Sequence, residues 1–185
     1  MIPDPTASPI DLQRASESDL PALAELMNAA YGGTGGVAGW THVKEFLVGD
    51  RTSVSVLRAE IQASPKAQLL VVRNPETGAL RGGVWLEPRS ETVWYLGSLT
   101  VDPREQDAGL GRRIMEEAER RIVALGGTQV VIDVLNVRGS LIAWYERRGY
   151  RLTGEAHPFP YEDDRYGVPQ RPDLAFLVLE KELAG

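Results

Sequence analysis

The chain of 185 residues contains no cysteine. That absence excludes disulfide frameworks, thiolate zinc sites, iron–sulfur clusters and a cysteine nucleophile. Histidine is scarce too: His42 and His157 stand far apart, which argues against a multi-histidine metal centre. No apolar run approaches the ~20 residues that a membrane span needs. Residues 1–9 hold Pro3, Pro5 and Pro9 without an apolar core, so they read as a flexible tail and not as a secretory signal. Positive charge is in deficit, with 20 Lys and Arg against 26 Asp and Glu and a formal charge of −6. A nucleic-acid binder usually carries a basic face, so this balance points elsewhere. The expectation is a cytoplasmic chain with one domain over residues 10–183, long enough to bury roughly 70% of its unfolded surface.

Hydrophobic periodicity supplies the element order. Residues 10–14 alternate apolar and polar, the period of a half-buried strand. Ser16 and Ser18 offer N-cap oxygens, with Glu17 and Asp19 near the positive end of a helix dipole. Leu23, Leu26, Met27, Ala30 and Tyr31 then form one apolar helix face, and five glycines over 32–39 make a loop. Residues 40–48 and 53–63 read as two short helices. Strands over 69–73, 79–87 and 92–101 follow as an antiparallel meander. A long helix over 109–125 buries Leu110, Ile114, Ala118, Ile122 and Leu125. Residues 129–135 have the valine and isoleucine density of a sheet centre. A helix over 138–148 stops at Gly149, a strand spans 150–155, 157–172 reads as a proline-bearing loop, and 174–180 is the last strand. The result is a mixed α/β sheet with a crossover helix after the fourth strand.

One segment carries chemistry. Residues 96–111, LGSLTVDPREQDAGLG, run from a strand through a tight turn into the long helix. The first amides of a helix lack internal acceptors, and the dipole places partial positive charge there. Glycines at 109 and 111 remove side chains that would keep a phosphate from those amides. Arg104, Arg112 and Arg113 add charge around the turn. Two other phosphate loops fail on spacing: no lysine follows Gly111, as a P-loop requires, and Ile114 stands where a dinucleotide fingerprint needs glycine.

LTVDPREQDAGLGRRIMEEAE resembles the acetyl-CoA-binding motif of the GNAT superfamily of N-acetyltransferases, [RQ]-x-x-G-x-[GA]. LIAWYERRGY, residues 141–150, resembles that superfamily's second motif, a helix with a tyrosine ending in glycine and an aromatic. The resemblance implies a single-domain, mixed and mostly antiparallel sheet, with a splayed central strand pair and helices on both faces. It implies that the backbone of Leu99, Thr100 and Val101 pairs with the pantetheine arm of acetyl-CoA. Gln106, Asp107, Ala108, Gly109, Leu110, Gly111 and Arg112 would wrap the pyrophosphate. A bulge near Gly97 and Ser98 would splay that strand from residues 129–135. Tyr145 would be the catalytic acid that helps the CoA thiolate to leave. The superfamily often carries an asparagine seven residues before this tyrosine; Arg138 stands there and Asn136 two residues earlier, so a cofactor contact from either stays open.

The implied activity is acetyl transfer from acetyl-CoA to a primary amine of a small-molecule acceptor, by direct attack in a ternary complex. A non-catalytic acyl-CoA-binding module is the alternative, and a protein-interaction domain using the acidic loop is a third reading. The implied partners are acetyl-CoA and the amine; a homodimer is admitted, and no metal, nucleic acid or membrane is called for. The residues alone do not assign a general base: His42, His157, Glu87, Glu91 and Asp133 are candidates, each also readable as an ordinary surface group. The acceptor pocket is expected around 32–51 and 157–171, with Trp40, Tyr161 and Tyr166 as walls. Glu162, Asp163 and Asp164 are either a cation-holding run or a solvated one.

Overall fold

The computed structural model describes residues 10–32, 46–163 and 167–184. The chain begins with β1 (Gln13–Arg14), shorter than the expected 10–14 strand, and a 3-10 turn over Glu17–Asp19. The turn is closed by a capping box: Asp19 accepts hydrogen bonds from the Ser16 amide and hydroxyl, both at 2.7 Å. Helix α1 (Leu20–Gly32) follows. Leu47–Val48 forms β2, which contradicts the end of the helix expected over 40–48. The reason is tertiary. β2 pairs antiparallel with β8 (Val168–Pro169), and Leu47 is buried against Leu135, Phe159 and Leu174. The expected 157–172 loop is corrected by the same pairing.

Helix α2 (Val54–Ala63) starts where the Ser53 hydroxyl accepts the Val56 amide. Then come β3 (Gln68–Arg73), β4 (Leu80–Pro88) and β5 (Val93–Val101), the antiparallel meander that the alternation predicts. Helix α3 (Leu110–Ala124) crosses over to β6 (Gln129–Leu135), parallel to β5. Helix α4 (Gly139–Glu146), β7 (Arg151–Pro158) and β9 (Ala175–Glu182) complete the chain. The main sheet has seven strands in the order β1-β3-β4-β5-β6-β9-β7, and every pair except β5-β6 is antiparallel.

The sheet is buried on both faces by different helices. Leu70, Val72, Val84, Leu86 and Leu96 share a core with Leu110, Ile114, Met115, Ala118 and Ile122 of α3 and Leu141, Ile142 and Tyr145 of α4. The alternate residues Leu69, Val71 and Trp85 face Leu20, Leu23, Met27 and Leu57 of α1 and α2. Period-two alternation thus sends successive residues of β3 and β4 into two cores. Each fully buried Leu or Ile contributes roughly 1.5–3 kcal/mol of apolar burial.

Candidate active site

Strands β5 and β6 pair only over Val93–Gln129, Trp94–Val130 and Tyr95–Val131. Beyond Tyr95 the ladder ends, while β5 continues along β4 as far as Val101. The cause is an extra residue in β5. Gly83 opposes Thr100 but Trp85 opposes Gly97, so three steps on β5 match two on β4. The bulge centres on Ser98, which has φ 49, a left-handed conformation that is uncommon for a residue with a side chain. Thr100 Oγ1 donates to the Ser98 carbonyl at 2.9 Å and satisfies it inside the distortion. A cleft of about 1050 Å³ opens through the gap and is lined from both faces of the sheet.

On the α3/α4 side the cleft meets the start of α3. Gly109 joins the 3-10 turn Pro103–Ala108 to the helix with φ 72, and a Cβ there would have no atom within 4 Å. Backbone conformation, not crowding, calls for glycine at this point. Gly109, Gly111 and Arg112 line the cleft at the helix terminus whose first amides have no intrahelical acceptor. Tyr145 lines it from α4, buried to 7% exposure and packed edge-on against Trp144 and Tyr150. Among the described residues its hydroxyl has no hydrogen-bond partner. Burial pushes the phenol well above its ordinary value, Tyr31 adding to the rise and Arg138 opposing it. At neutral pH Tyr145 is therefore a protonated donor aimed at the cleft.

The α1/α2 side has a different character. Glu87 Oε1 accepts from the Ser64 hydroxyl at 2.9 Å, and its other oxygen takes the Trp85 indole N–H at 3.4 Å. Arg89 lies 3.5 Å from Glu87 and 4.8 Å from the centre of the Tyr95 ring. That ring folds over its own strand: a Cβ on Gly97 would stand 2.6 Å from it. Asp133 lines the cleft from β6, two residues past the last rung shared with β5. It makes no hydrogen bond or ion pair among the described residues. Desolvation raises its carboxyl above the ordinary 3.8, while His157 and Arg89 pull it the other way.

A splayed parallel pair opening at a bulge, beside a glycine-led helix terminus, is the architecture that the resemblance of residues 96–111 implies. The model of the Acetyltransferase (GNAT) family matches residues 21–150. The chain belongs to that family. Solved structures agree on the fold. A GNAT superfamily phosphinothricin acetyltransferase (Pat) from Sinorhizobium meliloti in complex with AcCoA aligns with TM-score 0.65 at 17% identity, covering 96% of this chain and 90% of that one. The ribosomal-protein-S18-alanine N-acetyltransferase from Escherichia coli aligns with TM-score 0.66 at 14% identity, covering 95% and 94%. Ard1 from Thermoplasma volcanium gives 0.65 at 14%, covering 95% and 98%. No match was found among curated proteins.

Within this GNAT domain the structure sorts the residues that the sequence singled out. Leu99, Val101, Gly109, Gly111, Arg112 and Tyr145 line the cleft. Thr100 and Leu110 are buried at 1% exposure and do not line it. Gln106, Asp107 and Ala108 belong to the 3-10 turn before Gly109. Arg104, counted above among the charges around the turn, is tied to Asp102 at 2.6 Å. Asn136 and Arg138 are placed differently. Asn136 donates to the Asp173 carbonyl at 2.9 Å and accepts the Ala175 amide at 3.1 Å, fastening the start of β9, whereas Arg138 lines the cleft.

Among the base candidates, Glu87 and Asp133 line the cleft; Glu91 is exposed in the β4–β5 turn and His157 is exposed on β7. Tyr161 is not a pocket wall: its hydroxyl donates to the Arg171 carbonyl and accepts the Leu174 amide. Glu162 and Asp163 do not line the cleft either. Trp40, His42, Asp164 and Tyr166 lie outside the described residues. Among the described residues, no group of three or more His, Asp or Glu is placed to hold a metal ion, and no helix is long and apolar enough to cross a membrane. Sequence reasoning missed Tyr31, whose hydroxyl donates to the Leu99 carbonyl at 3.0 Å. It also missed Tyr95 and Arg148 on the cleft wall.

Proposed function

We propose that this chain transfers the acetyl group of acetyl-CoA to a primary amine by direct attack in a ternary complex. The observation that carries the reading is the placement of Asp133 and Tyr145 in one cleft, at a gap in the sheet open from both faces. The residues fit acetyl-CoA. Glycine at 109 places no side chain beside the amides that open α3, and the β5 edge past the bulge is extended backbone. Leu99 and Val101 would offer that edge to the pantetheine arm, and the backbone of 106–112 would hold the pyrophosphate. Bound acetyl-CoA supplies a thioester carbonyl open to nucleophilic attack.

The chain's own groups handle the protons. An amine is mostly protonated at neutral pH, so a proton must leave before or during attack. Asp133 lines the cleft with no hydrogen bond or ion pair among the described residues, and its raised affinity for a proton suits it to hold the ammonium and accept that proton at a carboxylate oxygen. Tyr145 serves the sulfur. A free thiol has a reference pKa near ~8.5 and an unperturbed phenol near ~10, so full transfer from tyrosine is already uphill by about 2 kcal/mol. Burial of Tyr145 widens that gap. Donation of a hydrogen bond to the departing sulfur, with the proton kept on the phenol, is therefore the role its environment supports.

The test is CoA thiol release from acetyl-CoA across a panel of amines, with products identified by mass. Two similar structures are named for phosphinothricin and for ribosomal-protein-S18 alanine, so the panel spans small amino compounds and a peptide amino terminus. Release coupled to an amine heavier by one acetyl group is expected. Binding of acetyl-CoA without release for any amine would instead favour a non-catalytic acyl-CoA-binding module.

A further inference from the structure

Arg148 follows α4 and is not accounted for by the roles above. Its guanidinium carbon lies 3.6 Å from the centre of the Trp144 ring, and Nη1 donates to the Trp144 carbonyl at 2.7 Å. Nε is buried and has no hydrogen-bond partner. No carboxylate among the described residues forms an ion pair with it. Its charged neighbours are mainly cations: burial, Arg147 and Arg112 all lower its hold on the proton, and Glu116 opposes them. Glu116 is itself shared with Arg112, 3.8 Å away. Arg148 and Arg112 line the same cleft as Gly109 and Gly111.

A partly desolvated cation beside other cations, with one N–H left unpaired, is unfavourable by itself. The stack on Trp144 nevertheless fixes the plane of the guanidinium and leaves the rest of it on the cleft wall. A planar fork held in one orientation matches the geometry of a phosphate, and an anion entering there offsets the repulsion. In a chain of net charge −6 this wall has the opposite local sign. We infer that Arg148, backed by Arg112 and oriented by Trp144, recognises a phosphate group of CoA through its side chain, in addition to the backbone amides that open α3. The inference rests on the acetyl-CoA reading and adds a residue to it. The shared chemistry is phosphate; the 3′-phosphomonoester and the diphosphate are its two sources.

Calorimetry of CoA and dephospho-CoA, with pantetheine measured by competition, on wild type, Arg148→Leu and Arg148→Lys tests it. Loss of one charge-assisted contact should weaken CoA binding by Arg148→Leu about tenfold or more and leave pantetheine unchanged. Arg148→Lys keeps the charge and should keep part of the affinity, which also covers the case of a poorly folded leucine variant. A deficit that disappears with dephospho-CoA assigns the 3′-phosphate; one that persists assigns the diphosphate. A folded Arg148→Leu protein with a smaller loss on CoA, or with an equal loss on pantetheine, overturns the inference. Wild-type protein that binds neither CoA nor dephospho-CoA overturns the acetyl-CoA reading and this inference together.

Discussion

The two mouths of the cleft are built in opposite ways. The α3/α4 mouth is made of contiguous segments: Gly109, Gly111 and Arg112 follow one another, and Trp144, Tyr145 and Arg148 share one helix end. Its working groups are backbone amides and cations. The α1/α2 mouth is assembled from four distant places, Ser64 after α2, Glu87 and Arg89 at the end of β4, Tyr95 on β5 and Asp133 on β6. It presents carboxylates, aromatic faces and the Arg89 guanidinium. A polar main chain that recognises one fixed cofactor needs a local motif, whereas a pocket shaped for an acceptor needs only that side chains converge. The first arrangement leaves a spacing in the sequence and the second leaves none.

The largest effect should come from placing the wrong charge at the local mouth. Gly109→Asp puts a carboxylate where the amides face the cleft, and the open space at its Cβ means that no clash complicates the result. Asn and Asp tolerate the left-handed conformation better than other residues, so the fold should persist. Affinity for CoA should fall about 100-fold or more by like-charge repulsion, while Gly109→Asn, isosteric and neutral, keeps most of it. Equal affinities for the two variants would remove the anion from this mouth.

At the assembled mouth, Asp133→Asn separates activity from stability. Removal of a general base typically costs ~10²–10⁴-fold, so kcat/KM should fall by at least about 100-fold with CoA affinity intact. The stability change has the other sign. Desolvation within the cleft raises the carboxyl above 3.8 in the folded protein, so the native state holds that proton more tightly than the unfolded chain. Stability contributed by this group falls as pH rises through the window above 3.8, and at neutral pH its partly desolvated charge is a net cost. Thermal melts at pH 7 should therefore show Asp133→Asn as stable as wild type or more so. The acid limb of kcat/KM should lie above the ordinary aspartate range and vanish in the variant; an unchanged limb would return the proton to Glu87 or to solvent.

Tyr145→Phe comes next. It keeps the ring contacts with Trp144 and Tyr150 and deletes a hydroxyl that has no protein partner among the described residues. A fall in kcat of at least ~10-fold, with CoA affinity nearly preserved, is the signature of an interaction made in the transition state. Steady-state kinetics beside calorimetry measure both. Near-wild-type kcat, under conditions where chemistry limits the rate, would leave Tyr145 as a core aromatic.

The same contrast explains what the sequence could show. Helix α3 was legible because Leu110, Ile114, Ala118 and Ile122 keep one stripe and Gly109 punctuates its start; Leu125, expected on that stripe, is instead the exposed residue that ends the helix. The bulge at Gly97 and Ser98 was reached through family resemblance, since nothing in the alternation of β5 marks an extra residue. β2 was hidden because Leu47 and Val48 gain their strand character from Pro169 and Val168 far along the chain. Arg89 and Tyr95 were unremarkable as single residues; only the pairing of β4 with β5 sets Glu87 opposite Tyr95.

Tyr31 joins the two mouths, and its substitution should have the smallest effect. It sits at the end of α1 on the α1/α2 side, beside the Arg51 guanidinium at 5.1 Å, yet its hydroxyl donates to the Leu99 carbonyl on the strand that splays. The bond satisfies a carbonyl that has no partner from β6, because the β5–β6 ladder has already ended at Tyr95. Tyr31→Phe keeps the ring and removes that one hydrogen bond, which typically contributes ~0.5–1.5 kcal/mol. For a chain of this length a loss of about 1 kcal/mol lowers Tm by roughly 2–4 °C. If the bond also holds Leu99 in register for the pantetheine arm, KM for acetyl-CoA should rise a few-fold while kcat stays near wild type, because ground state and transition state use the strand edge alike. Melts and steady-state kinetics of this variant read the two consequences separately. A fall in Tm with KM unchanged would confine Tyr31 to the fold and leave the two mouths structurally independent.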